Sequence, residues 1–306
     1  IEQKRNRGVA YSCESSKIEP IYPAYSQGER TRSFLKVQDG CDYCCSYCTI
    51  PLARGKSRNI PIADLVKEAE KIAASGIKEI VITGVNTGDF GRTTGESFWD
   101  LLKALESVEG IERYRISSIE PNLLKEEVIR WIASGTKFQN HFQIPLQSGC
   151  DAILAKMRRR YNTTMFAEKI DMIRSIMGDV FFGIDVIAGF PGESDDEFEQ
   201  TFNFLKERIK PAFIHVFPFS ARKNTPAAEM PNQVKESIKS LRVERLTSLA
   251  EQLHSDYCNR FKGTKQLVLF ESEEKGGKMF GYTGNYIRVE RPFDASLIGK
   301  IVEVEL

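Results

Sequence analysis

The sequence predicts an α/β chain: a partial (β/α)6 barrel over residues 34–261, followed by a small antiparallel β-barrel over residues 262–306. Three observations predict it. Short apolar runs alternate six times with segments of helical spacing between Phe34 and about Phe261, the pattern of a parallel sheet wrapped by helices. Beyond that point helical spacing stops, and short alternating runs follow one another with only turns between them. Cysteine, glycine and amide residues stand just after several of the apolar runs, at the strand C-terminal ends where such folds carry their chemistry.

Taken in order, residues 1–33 read as a linker or edge segment, because Ser15-Ser16, Pro20, Pro23 and Gly28 break any period. Phe34-Leu35-Lys36-Val37 reads as the first strand. The apolar residues Ile62, Leu65, Val66, Ala69, Ile72 and Ala73 then keep helical spacing, and residues 79–84 form a short apolar run ending in glycine. A second helix carries Phe98, Leu101, Leu102 and Leu105 on one face. Strand-like runs recur at 114–117, 142–146, 180–188 and 213–217. Ser194-Asp195-Asp196-Glu197 forms a capping box before the helical face Phe198, Phe202 and Leu205. A long final helix runs from about 234 to 261. Strands are then expected at 266–270, 279–283, 286–290 and 300–305, the first two joined by a turn at Lys275-Gly276-Gly277-Lys278.

The 306 residues carry 43 Lys and Arg against 42 Asp and Glu, for a formal net charge of +1. That balance exerts no global pull on nucleic acid, so any RNA contact has to come from local patches. No apolar run approaches the roughly 20 residues of a membrane span. The opening Ile1-Glu2-Gln3-Lys4-Arg5-Asn6-Arg7 is polar and lacks the apolar stretch of a signal peptide. Seven cysteines, an odd number in a chain long enough to have a core, argue against a disulfide framework. They fit a reducing, cytoplasmic compartment. A first residue other than Met suggests a fragment or a processed product.

Cys41, Cys45 and Cys48 stand as C-x3-C-x2-C directly after the first strand. Three thiolates on one loop can hold three corners of a 4Fe–4S cube and leave the fourth iron open to a small molecule. Zinc normally takes four ligands in paired clusters, and no matching C-x-x-C or H-x3-H follows downstream. Cys44 falls outside the frame and reads as a spare thiol filling an apolar slot. The loop resembles the signature of the radical S-adenosylmethionine enzymes. That resemblance implies a 4Fe–4S cluster whose open iron is chelated by the amino and carboxylate groups of S-adenosylmethionine. Reduction then cleaves the sulfonium and generates a 5′-deoxyadenosyl radical. It implies the usual six-stranded partial barrel, and it places Tyr47 beside the adenine.

Other strand ends supply candidates for the cofactor. Gly84 and Asn86, in Thr83-Gly84-Val85-Asn86-Thr87-Gly88, combine close backbone approach with amide hydrogen bonding; an ordinary βα loop is the plainer alternative. Glu120 follows the third strand, where it could meet an ammonium or a ribose hydroxyl. Gln147 and Ser148 follow the fourth and could bond ribose or adenine. In Met157-Arg158-Arg159-Arg160-Tyr161, Arg159 matches the family pattern Met-x-Arg-x-Tyr, which implies a pairing with the cofactor carboxylate. Arg158 and Arg160 are left for RNA phosphates or for solvent. Asp185 interrupts an apolar strand and would need a partner if buried. Gly189, Pro191 and Gly192 read as backbone residues of a turn. Arg54, Lys56 and Arg58, just after the cysteine loop, are candidates for the anionic side of a substrate, or else form a positive fringe.

Together, residues 41–58, 83–91, 145–161 and 185–193 resemble, in order, the methylthiotransferases of the same superfamily. Val85-Asn86-Thr87-Gly88-Asp89-Phe90-Gly91, Ser117-Ser118-Ile119-Glu120-Pro121 and Tyr286-Ile287-Arg288-Val289 are most similar to the subgroup acting on N6-threonylcarbamoyladenosine in tRNA. Gly281-Tyr282-Thr283-Gly284-Asn285-Tyr286-Ile287-Arg288-Val289 resembles the TRAM domain that ends many RNA-modifying enzymes; a mere capping or dimerisation barrel is the alternative. The resemblance implies methylthiolation at C2 of that adenine beside the anticodon, with the tRNA anticodon loop, an external electron donor and a sulfur source as partners. It also implies an N-terminal domain whose three cysteines hold a second 4Fe–4S cluster. Only Cys13 precedes the loop here, so that domain is expected to be missing from this chain. Two rivals remain at this point: methylthiolation of a ribosomal protein side chain, and a non-catalytic RNA-binding module with a structural cluster.

Overall fold

The computed structural model describes residues 31–306 and the short strand β1 (Ala24–Tyr25). Cys13 and most of the expected linker lie outside the described residues. β1 pairs antiparallel with β2 (Arg32–Lys36), and two two-residue strands, β3 (Gln38–Asp39) and β4 (Arg58–Asn59), pair with each other. Between them lies the short helix α1 (Ile50–Arg54). The chain then alternates: α2 (Ile62–Ala74), β5 (Glu79–Thr83), α3 (Phe98–Glu106), β6 (Arg113–Ser118), α4 (Glu126–Ala133) and β7 (Phe138–Gln147). Next come α5 (Asp151–Lys156), α6 (Thr163–Met177), β8 (Phe181–Ala188), α7 (Asp195–Asn203), β9 (Phe213–Pro218), α8 (Pro226–Glu229) and the long α9 (Glu236–Asn259).

The six strands β2, β5, β6, β7, β8 and β9 are parallel neighbours in that order. Strand alternation explains how they use their residues. On β5, Ile80 and Ile82 are fully buried in the core shared with the helices, whose contributions include Leu65, Ala69 and Ile72 of α2. Val81 points the other way and, with residues from the other five strands, lines a single cavity. A sheet whose six strands all face one cavity is curled around it, so the expected partial barrel is present. The expected capping box is also present: Ser194 Oγ accepts from Glu197 N at 3.1 Å and Ser194 N donates to Glu197 Oε2 at 2.8 Å. No helix among the described residues is long and apolar enough to cross a membrane.

After α9 come β10 (Lys265–Lys275), β11 (Lys278–Thr283), β12 (Arg288–Pro292) and β13 (Ile301–Glu305), antiparallel in the order β12-β11-β10-β13. The small β-barrel takes the form of a curled half-barrel with β12 and β13 as its edges, since four short strands are too few to close. Its core is Val268, Phe270 and Met279. The strand expected from residue 286 starts at Arg288, because Tyr286 adopts a left-handed conformation (φ 64°) within the turn. This sheet docks on the lower, N-terminal ends of the barrel strands. Arg113 donates to the carbonyls of Tyr282 (3.1 Å) and Leu267 (2.7 Å), and Arg115 to those of Gly284 (2.8 Å) and Thr283 (2.7 Å).

Candidate metal centre

The loop that carries the three cysteines leaves the upper, C-terminal end of β2 and is pinched at its base by the β3–β4 pair. Gly40 is required there: its φ is 72°, and a Cβ would lie 2.0 Å from the Lys56 carbonyl oxygen. Cys41 N donates to Gly55 O at 3.1 Å. Gln38, fully buried, ties this loop to the next strand end. Its Nε2 donates to Gly40 O (2.7 Å) and Ser57 Oγ (2.9 Å), while its Oε1 accepts from Val85 N (2.9 Å) and Asn86 N (3.0 Å).

Each of the three thiols has a donor directed at its sulfur. Tyr43 N stands 3.4 Å from Cys41 Sγ, Ile50 N 3.4 Å from Cys48 Sγ, and Arg159 Nη1 3.1 Å from Cys45 Sγ. Burial, reinforced by the neighbouring thiols, pushes Cys41 up to about 11, and burial likewise raises Cys48. Ligation therefore has to displace protons. Among the described residues no three His, Cys, Asp or Glu side chains gather round a single point as one ion's ligands would. A cube distributes its thiolates over different irons, so three thiols on one loop, each with its own donor, fit that group. Cys44 corrects the sequence expectation. It is exposed rather than seated in an apolar slot, because its side chain and that of buried Cys45 leave the loop in different directions.

Arg159 and Glu120 are brought together. Arg159 Nη2 meets the two Glu120 oxygens at 2.7 and 2.5 Å, and its Nε donates to Tyr161 Oη at 3.0 Å. Tyr161 in turn donates to the Pro145 and Leu146 carbonyls. The sequence treated the two residues as separate cofactor contacts, yet here each has the other as partner. Burial pushes the Glu120 carboxyl above its ordinary value, and Arg159 pulls against that rise. Tyr47 Oη lies 3.4 Å from Arg159 Nη1. Asn86 is buried beside them: its Oδ1 accepts from Glu120 N at 3.4 Å, and its Nδ2 has no partner among the described residues. A buried amide left with a free donor is ready for a ligand. At Gly84 a Cβ would press on Gln38, with Oε1 at 3.0 Å.

The remaining candidates are placed differently. Gln147 ends β7 with φ 68°. The Ser148 hydroxyl is fully buried against Thr201 Oγ1 (3.1 Å) and accepts from Cys150 N (3.2 Å), so it braces α5 and α7. Arg54 and Arg58 both reach Asp39, at 3.1 and 3.4 Å, and Lys36 joins them at 2.7 Å. Arg160 lies 3.8 Å over the Tyr43 ring, and Arg158 is exposed. Asp185 faces the lumen and accepts from Gln143 Nε2 at 2.7 Å; burial raises its pKa, opposed chiefly by His215. Gln38 and Tyr43 also border the candidate site, and their only sequence signal is a polar or aromatic side chain beside the cysteine loop; Tyr161, which braces Arg159, closes the Met-x-Arg-x-Tyr pattern.

Comparison with known proteins agrees with this geometry. The family model of the Radical SAM superfamily matches residues 35–205. The chain is similar to the threonylcarbamoyladenosine tRNA methylthiotransferase MtaB of Bacillus subtilis (strain 168), 40% identical over 312 residues, covering 100% of this chain and 68% of that protein. The Thermotoga maritima protein of the same name is 37% identical, over 94% of this chain and 67% of its own length. The tRNA-2-methylthio-N(6)-dimethylallyladenosine synthase of Geobacter sulfurreducens is 34% identical, over 99% and 68%. The chain thus spans about two thirds of the length of these relatives. Among solved structures, the radical S-adenosylmethionine methyltransferase TsrM from Kitasatospora setae, with cobalamin and a [4Fe-4S] cluster bound, aligns with a TM-score of 0.53 at 17% identity, covering 64% of this chain and 35% of that one. Methylornithine synthase (PylB) aligns at 0.51 and 13% identity, covering 74% and 68%. At such identities the likeness is one of fold.

Proposed function

Because this chain belongs to the radical S-adenosylmethionine superfamily, and within it to the tRNA methylthiotransferases, we propose that it inserts a methylthio group at C2 of N6-threonylcarbamoyladenosine beside the tRNA anticodon. Its cofactors are a 4Fe–4S cluster and S-adenosylmethionine. When bound, they supply reductive cleavage of the sulfonium and hence a carbon radical able to take hydrogen from an unactivated position. An external donor provides the electron, and a separate sulfur source provides the inserted atom.

The protein's own residues bind, orient and shield. Cys41, Cys45 and Cys48 would hold the cluster. The Arg159–Glu120 pair sets the wall behind Cys45 and keeps a guanidinium on that sulfur. Asn86 Nδ2 and the backbone at Gly84 offer the cofactor a donor and close approach. Tyr47 supplies an aromatic face at the mouth. The target adenine has to turn out of its stack to reach the lumen, where aromatic rings and arginine planes can receive it.

One observation carries the substrate: 40% identity across the whole chain to a threonylcarbamoyladenosine enzyme, against 34% to a dimethylallyladenosine enzyme. The test is anaerobic reconstitution with iron and sulfide, followed by reduction with S-adenosylmethionine, a sulfur source and tRNA. The reading expects 5′-deoxyadenosine that vanishes in Cys45→Ala, and a 2-methylthio product from tRNA bearing N6-threonylcarbamoyladenosine. Product from the dimethylallyl-bearing tRNA alone would sink the substrate assignment.

A further inference from the structure

The barrel lumen holds a cavity of about 590 Å³, lined by all six parallel strands and closed on the seam side by Tyr282, Tyr286 and Arg288 of the C-terminal half-barrel. The chain has three histidines, His141, His215 and His254, and all three stand on this wall although far apart in sequence. Flat rings dominate it. Tyr286 lies 4.9 Å from both His141 and Tyr282, centroid to centroid, and 5.4 Å from Phe181. Such a wall suits a planar heterocycle.

The charges are unevenly spread. At the floor Arg32, Arg113 and Arg115 converge on one carboxylate, Glu79, at 3.8, 3.9 and 2.9 Å. Arg32 has a second carboxylate, Glu271, at 2.6 Å. Three guanidiniums against two carboxylates leave a surplus positive charge, and their side chains are 10%, 5% and 1% exposed. Buried surplus charge is costly unless something compensates it. Arg32 and Arg115 border the cavity directly. Two polar atoms beside them, Ser117 Oγ and His141 Nδ1, are buried and have no hydrogen-bond partner among the described residues. Further along the strands, towards the cysteine loop, the lining becomes acidic: Asp185, held by Gln143, faces His215.

A cation-rich floor with two unmet polar atoms, a wall of rings and an acidic far end together describe a ligand. It is a planar base joined through an N–H-bearing linker to an anionic substituent. The rim arginines offer less, since Arg54 and Arg58 already share Asp39. We propose that this lumen cavity receives the N6-threonylcarbamoyl group of the target adenosine, its carboxylate directed to the floor beside Arg115, Ser117 and His141. The inference rests on the proposed function and deepens it, naming the pocket that distinguishes an acidic N6 substituent from an apolar one.

The experiment titrates the full chain, loaded anaerobically with cluster and S-adenosylmethionine, with two free nucleosides. One is N6-threonylcarbamoyladenosine and the other its methyl ester, both followed by calorimetry. The acid should bind at least about tenfold more tightly than the ester, as a site built for a polar group rejects the analogue lacking it. His141→Phe, which keeps the ring stack, and Ser117→Val should each erase most of that preference in protein that still melts cooperatively. Equal affinity for acid and ester, no binding of either, or a preference intact in both variants overturns the assignment. The two ideas fail separately. A wild-type preference for the acid, with no methylthiolation of tRNA carrying that base, leaves the pocket standing and removes the reaction.

Discussion

Arg159 joins a carboxylate to a thiol with one guanidinium: its Nη2 grips the Glu120 carboxylate at 2.7 and 2.5 Å, while its Nη1 stands 3.1 Å from Cys45 Sγ. The pair is buried, with side chains 3% and 11% exposed. Removing the arginine alone strands a carboxylate in that environment. Arg159→Met is therefore expected to destabilise the fold by about 3–5 kcal/mol. Arg159→Met with Glu120→Gln should recover a large part of it, since no charge is then left unpaired. Urea unfolding of the single and double variants checks this; equal losses would refute the coupling.

Cys44 and Cys45 are chain neighbours with different surroundings, the first exposed and the second buried under Arg159. Cys44→Ala should load iron and sulfide to the wild-type ratio. On the proposed ligand set Cys45→Ala should fall well short, since one of its three thiolates is removed. Iron and sulfide content per chain after anaerobic reconstitution is the readout, and a matching deficit in Cys44→Ala would make it a ligand.

His141 gives the fold a pH dependence with a definite sign. Burial first, then the guanidiniums of Arg115 and Arg32, hold its imidazole well below the ordinary 6.5. The folded ring stays neutral at pH values where the unfolded chain already takes up a proton. Its contribution is therefore complete above about pH 6.5 and is lost as the pH falls below that value. The urea midpoint of the wild type should drop between about pH 7.5 and about pH 5.5 more steeply than that of His141→Phe. Parallel slopes would count against the buried neutral ring.

Arg115, anchored within its own sheet by Glu79 at 2.9 Å, ties that sheet to the C-terminal half-barrel through two of the latter's carbonyls. Arg115→Met should cost about 3 kcal/mol, at the gentler end because Arg32 and Arg113 still face Glu79. The damage should concentrate at the seam. Limited proteolysis is expected to cut near residues 260–265 before the barrel itself is attacked; uniform digestion would show that Arg115 is no local tie.

Period and spacing made much of this molecule legible. Ile80 and Ile82 alternate with Val81, the capping box lies in four consecutive residues, and the three cysteines share one short loop. Features built from distant residues were not legible. Glu120 and Arg159 are 39 positions apart, and nothing in either segment says that they meet. Ser148 stands in a promising loop, but Thr201, on a helix 53 residues away, takes its hydroxyl. Arg54 and Arg58 looked available because Asp39, their shared partner, lies across the loop. His141, His215 and His254 show no spacing at all, since parallel strands and a long helix gather them only after folding.

The joint between barrel and half-barrel has a property of another kind. Arg113 and Arg115 bond to the main-chain oxygens of Leu267, Tyr282, Thr283 and Gly284 and to none of those residues' side chains. Such a clasp recognises the path of a strand and is indifferent to its amino-acid letters. The outward residues of the terminal sheet can consequently drift while this clasp stays fastened, and side-chain identity matters at the joint where Arg32 meets Glu271 and Tyr286.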